Sequence, residues 1–224
     1  MHSLGNCPLG VVSILGKYRT GKSYLVNKIL LQNKKKGFKV GPTVNACTKG
    51  LWLWDKTVEA NQGGAKHRLL IIDTEGFGGV QVGQNHDTRI FLFSILLSSL
   101  FVYNSVGAIN ENAIEQISLV INLAKRVKRE QFGVLKDLNE EQIRENFPHF
   151  LWVLRDFSLK LVDKNNKRIT PEQYLEQSLK KQPGLGDKVH RKNQVRKLIT
   201  HFFRTRDCVT LIRPVEEEAK LQKL

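Results

Sequence analysis

Cysteine is scarce in this chain: Cys7, Cys47 and Cys208 are odd in number, far apart and without paired spacing. That argues against a disulfide framework and against a paired-cysteine zinc site, and it points to a reducing, cytoplasmic compartment. Long apolar runs are missing too. The longest, residues 90–103, is interrupted by serines, falls short of the roughly 18 residues of a spanning helix, and reads as buried core. The first residues lack the charged start and apolar stretch of a secretion signal, and the last ones form no lipidation box. Acidic residues are outnumbered, 21 against 36 Lys and Arg, for a net charge of +15. Such a balance favours anionic partners, whether nucleotide, nucleic acid or acidic membrane surface. The excess falls in separate stretches, 34–39, 125–129 and 188–197, without the interleaved aromatics of a strand-stacking surface. Nucleic acid is therefore disfavoured, and solvated basic faces are the plainer reading of these stretches.

What is present is enough for one sizeable core: 224 residues, 41% of them hydrophobic, predict a single domain over 1–224. Residues 11–15 read as a strand, and 23–31 repeat apolar residues at helical spacing after a glycine turn. Residues 33–45 read as a basic loop, 51–54 as a short strand and 61–65 as a turn. The dense run 68–72 predicts a central strand covered on both faces and ending at Asp73. A glycine-rich mobile loop, 76–84, follows, then helix 88–97 and strand 101–103. Ile114, Ile117, Val120, Ile121 and Ala124 share one face of a helix over 111–127. A strand over 150–154, helices over 171–181 and 192–203, and a last strand over 208–212 complete the chain. Strands alternating with helices predict an α/β fold with a mostly parallel central sheet flanked by helices, binding ligands at the strand carboxyl ends. The charged, helical-looking tail 216–224 suggests a fragment of a longer protein.

The sharpest signal is Gly16-Lys17-Tyr18-Arg19-Thr20-Gly21-Lys22-Ser23, a full G-x-x-x-x-G-K-[ST] match lying between a buried strand and a helix, as a P-loop NTPase requires. The glycines let backbone N–H groups turn inward around phosphate oxygens, Lys22 reaches the β/γ-phosphates, and Ser23 is a ligand for Mg²⁺. Asp73, ending the apolar strand, is the natural outer-shell acid for that ion. Thr48, between a loop and a strand, is placed either to complete the Mg²⁺ shell and meet the γ-phosphate or simply to start the strand. Asp73-Thr74-Glu75-Gly76 matches the D-x-x-G switch of GTPases, in which the glycine N–H faces the γ-phosphate. The N-K-x-D guanine motif is absent. Leu154-Arg155-Asp156 stands at the expected place, where, on the residues alone, an Arg–Asp surface pair is at least as good a reading as base recognition.

Taken together, these motifs resemble the large GTPase domain of the guanylate-binding proteins, relatives of atlastins in the dynamin superfamily. The resemblance runs from Gly10 to about Leu224. It includes the P-loop with Tyr24-Leu25, Thr48-Lys49-Gly50-Leu51-Trp52, the Asp73 motif, Phe101-Val102-Tyr103-Asn104-Ser105, Leu154-Arg155-Asp156-Phe157-Ser158-Leu159 and Arg213-Pro214-Val215. It implies that Asp156 binds guanine, that Arg155 supports the base pocket, that Tyr24 belongs to the GTP site, and that Arg19 is an internal arginine finger. It further implies GTP hydrolysis to GDP, in some members onward to GMP, and a GTP-dependent homodimer through the nucleotide face. Membrane contact would come from regions outside this chain. One departure bears on turnover: the family's water-positioning serine is Ala46 here, followed by Cys47. Water would then be held by the Thr48 backbone and, through a bridging water, by Glu75. A weakly hydrolysing, nucleotide-dependent assembly module is the alternative; a P-loop ATPase acting on nucleic acid rests only on the charge and the P-loop.

Overall fold

The computed structural model describes residues 7–31, 37–40, 48–78, 84–133 and 140–215, and the chain divides into two compact units, Met1–Asn104 and Ser105–Leu224. Ala46 and Cys47 lie outside the described residues, as do 79–83 of the glycine-rich loop and the tail 216–224.

In the first unit, β1 (Leu9–Gly16) lies between two parallel neighbours. On one side is β4 (Ala65–Thr74), with Val12 opposite Ile71 and Ile14 opposite Asp73. On the other is β5 (Leu100–Val106), with Ile14 opposite Val102 and Gly16 opposite Asn104. Strands covered on both faces read as near-continuous apolar runs, and Val12, Ile14, Leu15, Ile71, Phe101 and Tyr103 are all buried. Helix α2 (Gln84–Leu97) packs against β1. The buried Ser13 is satisfied there, its Oγ donating to the Ser94 carbonyl at 2.9 Å.

Two short strands, β2 (Leu51–Leu53) and β3 (Val58–Gln62), share the outer edge of β4 and run antiparallel to it. The sequence reading had only a turn at 61–65. The structure adds β3, joined to β4 through Gly63 and Gly64, whose φ angles of 58° and 83° suit a two-residue hairpin turn with both residues left-handed. β4 also runs one residue beyond Asp73, because Thr74 still pairs with Leu51. The helix expected over 23–31 is likewise modified. It forms as α1 (Lys22–Leu25) and then widens into a π-helical turn, Val26–Leu30, where Leu31 N–H donates to the Val26 carbonyl at 3.0 Å. Asn27 on that turn clasps the backbone of Phe38, donating to its carbonyl at 2.8 Å and accepting from its N–H at 2.7 Å.

The second unit carries α3 (Glu111–Gly133), α4 (Glu140–Glu145), β6 (His149–Arg155), α5 (Pro171–Ser178), α6 (Asp187–Phe202) and β7 (Arg206–Leu211). β6 and β7 pair in parallel, with Trp152 opposite Cys208. The five α3 residues expected on one face are all buried. Glu111 at the start of α3 bonds to the buried Arg196 of α6, and that hydrogen bond holds its carboxyl below the usual range. Helix α5 opens on a capping box in which Thr170 and Gln173 satisfy each other's backbone N–H, with Pro171 next, an arrangement preorganised for a helix start. Among the described residues no helix is long and apolar enough to cross a membrane.

Candidate functional site

The P-loop turn begins where β1 meets its neighbour most closely. A Cβ at Gly16 would stand 2.0 Å from the Asn104 carbonyl oxygen, so only glycine allows the chain to leave the sheet at this point. The turn is then pinned from two directions. Tyr18 N–H donates to the Phe77 carbonyl at 2.9 Å, and Phe77 N–H returns to the Gly16 carbonyl at 3.3 Å. Asn104 Nδ2 donates to both the carbonyl and the Oγ1 of Thr20, at 3.0 and 2.9 Å, while Thr20 Oγ1 donates to the Lys17 carbonyl at 2.8 Å. Arg19 and Gly21 are both left-handed, φ 63° and 73°. That reversal sets Gly21 as the cap of α1, whose first turn carries no acid to compete for an anion. The Arg19 guanidinium carbon lies 5.7 Å from the centre of the Tyr18 ring. Tyr24 follows on α1, with the Lys28 ammonium 5.7 Å from its ring centre.

Lys22 is buried, with Nζ donating to the Lys17 carbonyl at 3.3 Å. Loss of solvent lowers its pKa to about 8, against the pull of Asp73 and Glu75 in the other direction; it remains mostly protonated at neutral pH. Three hard oxygens gather beside it. Ser23 Oγ donates to Asp73 Oδ2 at 2.5 Å, and Thr48 Oγ1 lies 3.3 Å from Ser23 Oγ and 3.4 Å from Asp73 Oδ2. Asp73 is fully buried, and burial pushes its carboxyl up while the Ser23 bond and Lys22 oppose the rise. Among the described residues there is no cluster of three His, Cys, Asp or Glu side chains for a metal. Two hydroxyls and one carboxylate, all oxygen, instead fit a small hard cation that takes the rest of its shell from water and phosphate.

The segment after Asp73 closes over the loop. A Cβ on Gly76 would meet Tyr18 Cα at 2.4 Å, Tyr18 N at 2.7 Å and Lys22 Nζ at 2.8 Å, so the backbone there touches the P-loop directly. Glu75 is buried, and its Oε2 accepts from Gly50 N–H at 2.8 Å. The sequence reading missed two participants. Asn104 lies just past the strand expected over 101–103 and enters only within the family-like segment Phe101-Val102-Tyr103-Asn104-Ser105, although an amide beside an apolar run is the kind of buried polar group that calls for a partner. His86, 3.1 Å from Glu75 Oε2, lies across a glycine-rich loop, and nothing in the sequence spacing announces it.

In the second unit, Arg155 ends β6 and is buried, and its carbonyl accepts from Gly107 N–H at 2.8 Å. Asp156 follows with φ 53°, a left-handed turn unusual for a non-glycine residue. Its Oδ1 is buried without a hydrogen-bond partner among the described residues. Leaving such an acceptor unpaired costs on the order of 1–3 kcal/mol, which a ligand donor would relieve.

The guanylate-binding protein N-terminal domain family matches residues 3–224 of the chain. Human guanylate-binding protein 1 is 42% identical over 97% of this chain and 37% of its own length. Human guanylate-binding protein 4 is 40% identical over 97% of the chain and 33% of its own length. Guanylate-binding protein 2 of Rattus norvegicus is 42% identical over 98% of the chain and 37% of its own length. The chain thus spans little more than a third of the curated relatives it matches, with the P-loop α/β fold described above, and it belongs to the guanylate-binding protein family.

Proposed function

We propose that this chain is the GTPase domain of a longer protein, binding GTP with Mg²⁺ and hydrolysing it to GDP, with GMP as a further product to be looked for. The observation that carries the reading is the convergence of Ser23, Thr48 and Asp73 oxygens beside the buried Lys22 at the mouth of the P-loop. The family match supports guanine nucleotide as the ligand. In this reading the P-loop from Gly16 through Lys17, Tyr18, Thr20 and Gly21 wraps the phosphates, with the Tyr18 N–H kept by the Phe77 carbonyl and Lys22 reaching the phosphate oxygens. Tyr24 lies in the same nucleotide site, and Gly76 N–H approaches the terminal phosphate. Ser23 and Thr48 hold Mg²⁺ with Asp73 behind them. The ion supplies charge neutralisation to the transferring phosphoryl group. Arg19 adds a mobile positive charge to that group, and Thr48 and Glu75 hold the attacking water. Product analysis with labelled GTP under single-turnover conditions tests the reading; tight ATP binding in preference to GTP would overturn it.

Asp156 and Arg155 form the base site in this proposal, and the unpartnered buried Oδ1 supports it. A carboxylate accepts from guanine N1 and N2 but finds the wrong hydrogen-bond pattern on adenine. Asp156→Asn is expected to weaken GTP binding about ten- to a hundredfold, the range of a hydrogen bond to a charged group, and to narrow the preference over ATP. Competition binding with both nucleotides checks this, and an unchanged ratio removes Asp156 from the base site.

Assembly into a GTP-dependent homodimer through the nucleotide face is part of the same proposal, as is cytoplasmic residence; any membrane contact would come through segments beyond this chain. Ala46 favours a second reading, a nucleotide-dependent assembly module with little hydrolysis. The two separate on Ala46→Ser. If a missing hydroxyl limits water alignment, that variant hydrolyses bound GTP several-fold faster at unchanged affinity; an unchanged single-turnover rate eliminates the alignment defect.

A further inference from the structure

Two residues at the first turn of α2 grip the segment that follows Asp73. Asp87 Oδ2 accepts the Gly78 N–H at 2.7 Å. The residue before it, His86, places Nε2 at 3.1 Å from Glu75 Oε2. An ionised carboxylate only accepts, so Nε2 carries the hydrogen of that bond. The same oxygen also takes the Gly50 N–H at 2.8 Å. Both bonds therefore fall on Oε2, and the carboxylate is fixed in rotation from two sides while Oε1 is left unspent by either.

We propose that His86 is a positioning residue for Glu75, holding Oε2 so that Oε1 is presented at a fixed angle to accept a hydrogen from the water chain at the terminal phosphate. The inference rests on the reading of the chain as a GTP hydrolase in which Glu75 acts through a bridging water. Glu75 sits in the electrostatic neighbourhood of Lys22, the residue that the proposed function puts at the phosphates. Its side chain is 9% exposed, whereas that of His86 is 48% exposed. A bond to so exposed a partner adds little to fold stability, which leaves orientation of the buried carboxylate as its main effect. A swinging carboxylate would have to be ordered during the reaction; a held one is ordered beforehand.

The test uses the full chain with His86→Ala, His86→Gln, Glu75→Gln and the double variant His86→Ala/Glu75→Gln. Single-turnover hydrolysis of Mg²⁺-GTP and the affinity for a non-hydrolysable GTP analogue are measured for each. His86→Ala is expected to slow hydrolysis about tenfold, the scale of one charge-assisted hydrogen bond, with affinity within about twofold. His86→Gln, which can still donate from a terminal N–H, should recover most of the rate. In the Glu75→Gln background, His86→Ala should cost little more, since the two act as one unit. Independently of turnover, the His86 ring-proton NMR signal should move on Glu75→Gln. An unchanged rate in His86→Ala, a parallel loss of affinity, full additivity in the double variant, or an unmoved ring signal each overturns the inference. A wild-type chain that binds GTP without any turnover sinks the hydrolase reading itself, and the inference with it; a hydrolysing wild type beside an unaffected His86→Ala sinks the inference alone.

Discussion

Arg19→Ala is expected to slow single-turnover GTP hydrolysis by about 10³-fold, the lower end of what arginine fingers contribute, while GTP affinity changes by no more than a few-fold. The asymmetry follows from what else the P-loop offers. In the proposed GTP site, ground-state phosphate is met by the backbone of a turn that the Tyr18–Phe77 and Asn104–Thr20 bonds fix and by the buried ammonium of Lys22. On that proposal Arg19 adds charge beyond that set, so its effect concentrates where charge builds up on the phosphoryl group. The guanidinium carbon rests 5.7 Å from the centre of the Tyr18 ring, within the P-loop itself. Alanine is as unsuited as arginine to the left-handed backbone at this position, so the substitution leaves backbone strain nearly matched. A large loss of affinity at unchanged single-turnover rate would instead make Arg19 a ground-state clamp.

Lys22→Ala is expected to weaken Mg²⁺-GTP binding by about 10²–10³-fold, the scale of removing one member of a buried, hydrogen-bonded charge pair. Burial already works against the ammonium, bringing its pKa down to about 8, and in the proposed complex the polyanionic nucleotide compensates its charge. The substitution also takes away a positive charge that acts on Asp73 and Glu75, whose carboxylates would then oppose the incoming phosphates. Isothermal titration calorimetry reads the affinity, and circular dichroism with a thermal melt establishes that the variant is folded. A folded Lys22→Ala chain with wild-type affinity and turnover would take the phosphate site away from this loop.

The elements legible in the sequence are those whose burial forces a continuous apolar run or a 3.6-residue period: β1, the inner part of β4, β6 and the buried face of α3. β3 escaped because an edge strand covered on one side does not need such a run, and Glu59, Asn61 and Gln62 do not look like a strand. The Gly63-Gly64 pair was the available signal, since two consecutive glycines between short segments are a hairpin turn as much as a loop. The π-helical turn after α1 had no signature in spacing. For the site, the P-loop and Asp73 could be placed from sequence because they sit at the end of buried strands, where the chain direction fixes position. His86 could not, because its approach to Glu75 depends on the path of the glycine-rich segment between them. The Asn104 contacts depend on a parallel register, Gly16 opposite Asn104, that no local pattern encodes.

The outer edge of β4 is divided between two strands, β3 along its first half and β2 along its second. β2 starts three residues after Thr48, and the β4 residues opposite it are Ile72, Asp73 and Thr74, facing Leu53, Trp52 and Leu51. Gly50 and Glu75 then lock the junction twice, Glu75 N–H to the Gly50 carbonyl at 2.8 Å and Gly50 N–H to the Glu75 carboxylate. Thr48 and Asp73, the two flanks of the proposed phosphate site, thus meet along a single seam. The segment that carries Thr48 is therefore tied to the end of β4 first through the two Gly50–Glu75 bonds and only then through the β2 ladder. β2 is only three residues long, so this junction depends on few ladder bonds, and the side-chain bond from Gly50 N–H to Glu75 is a correspondingly large share of what holds it.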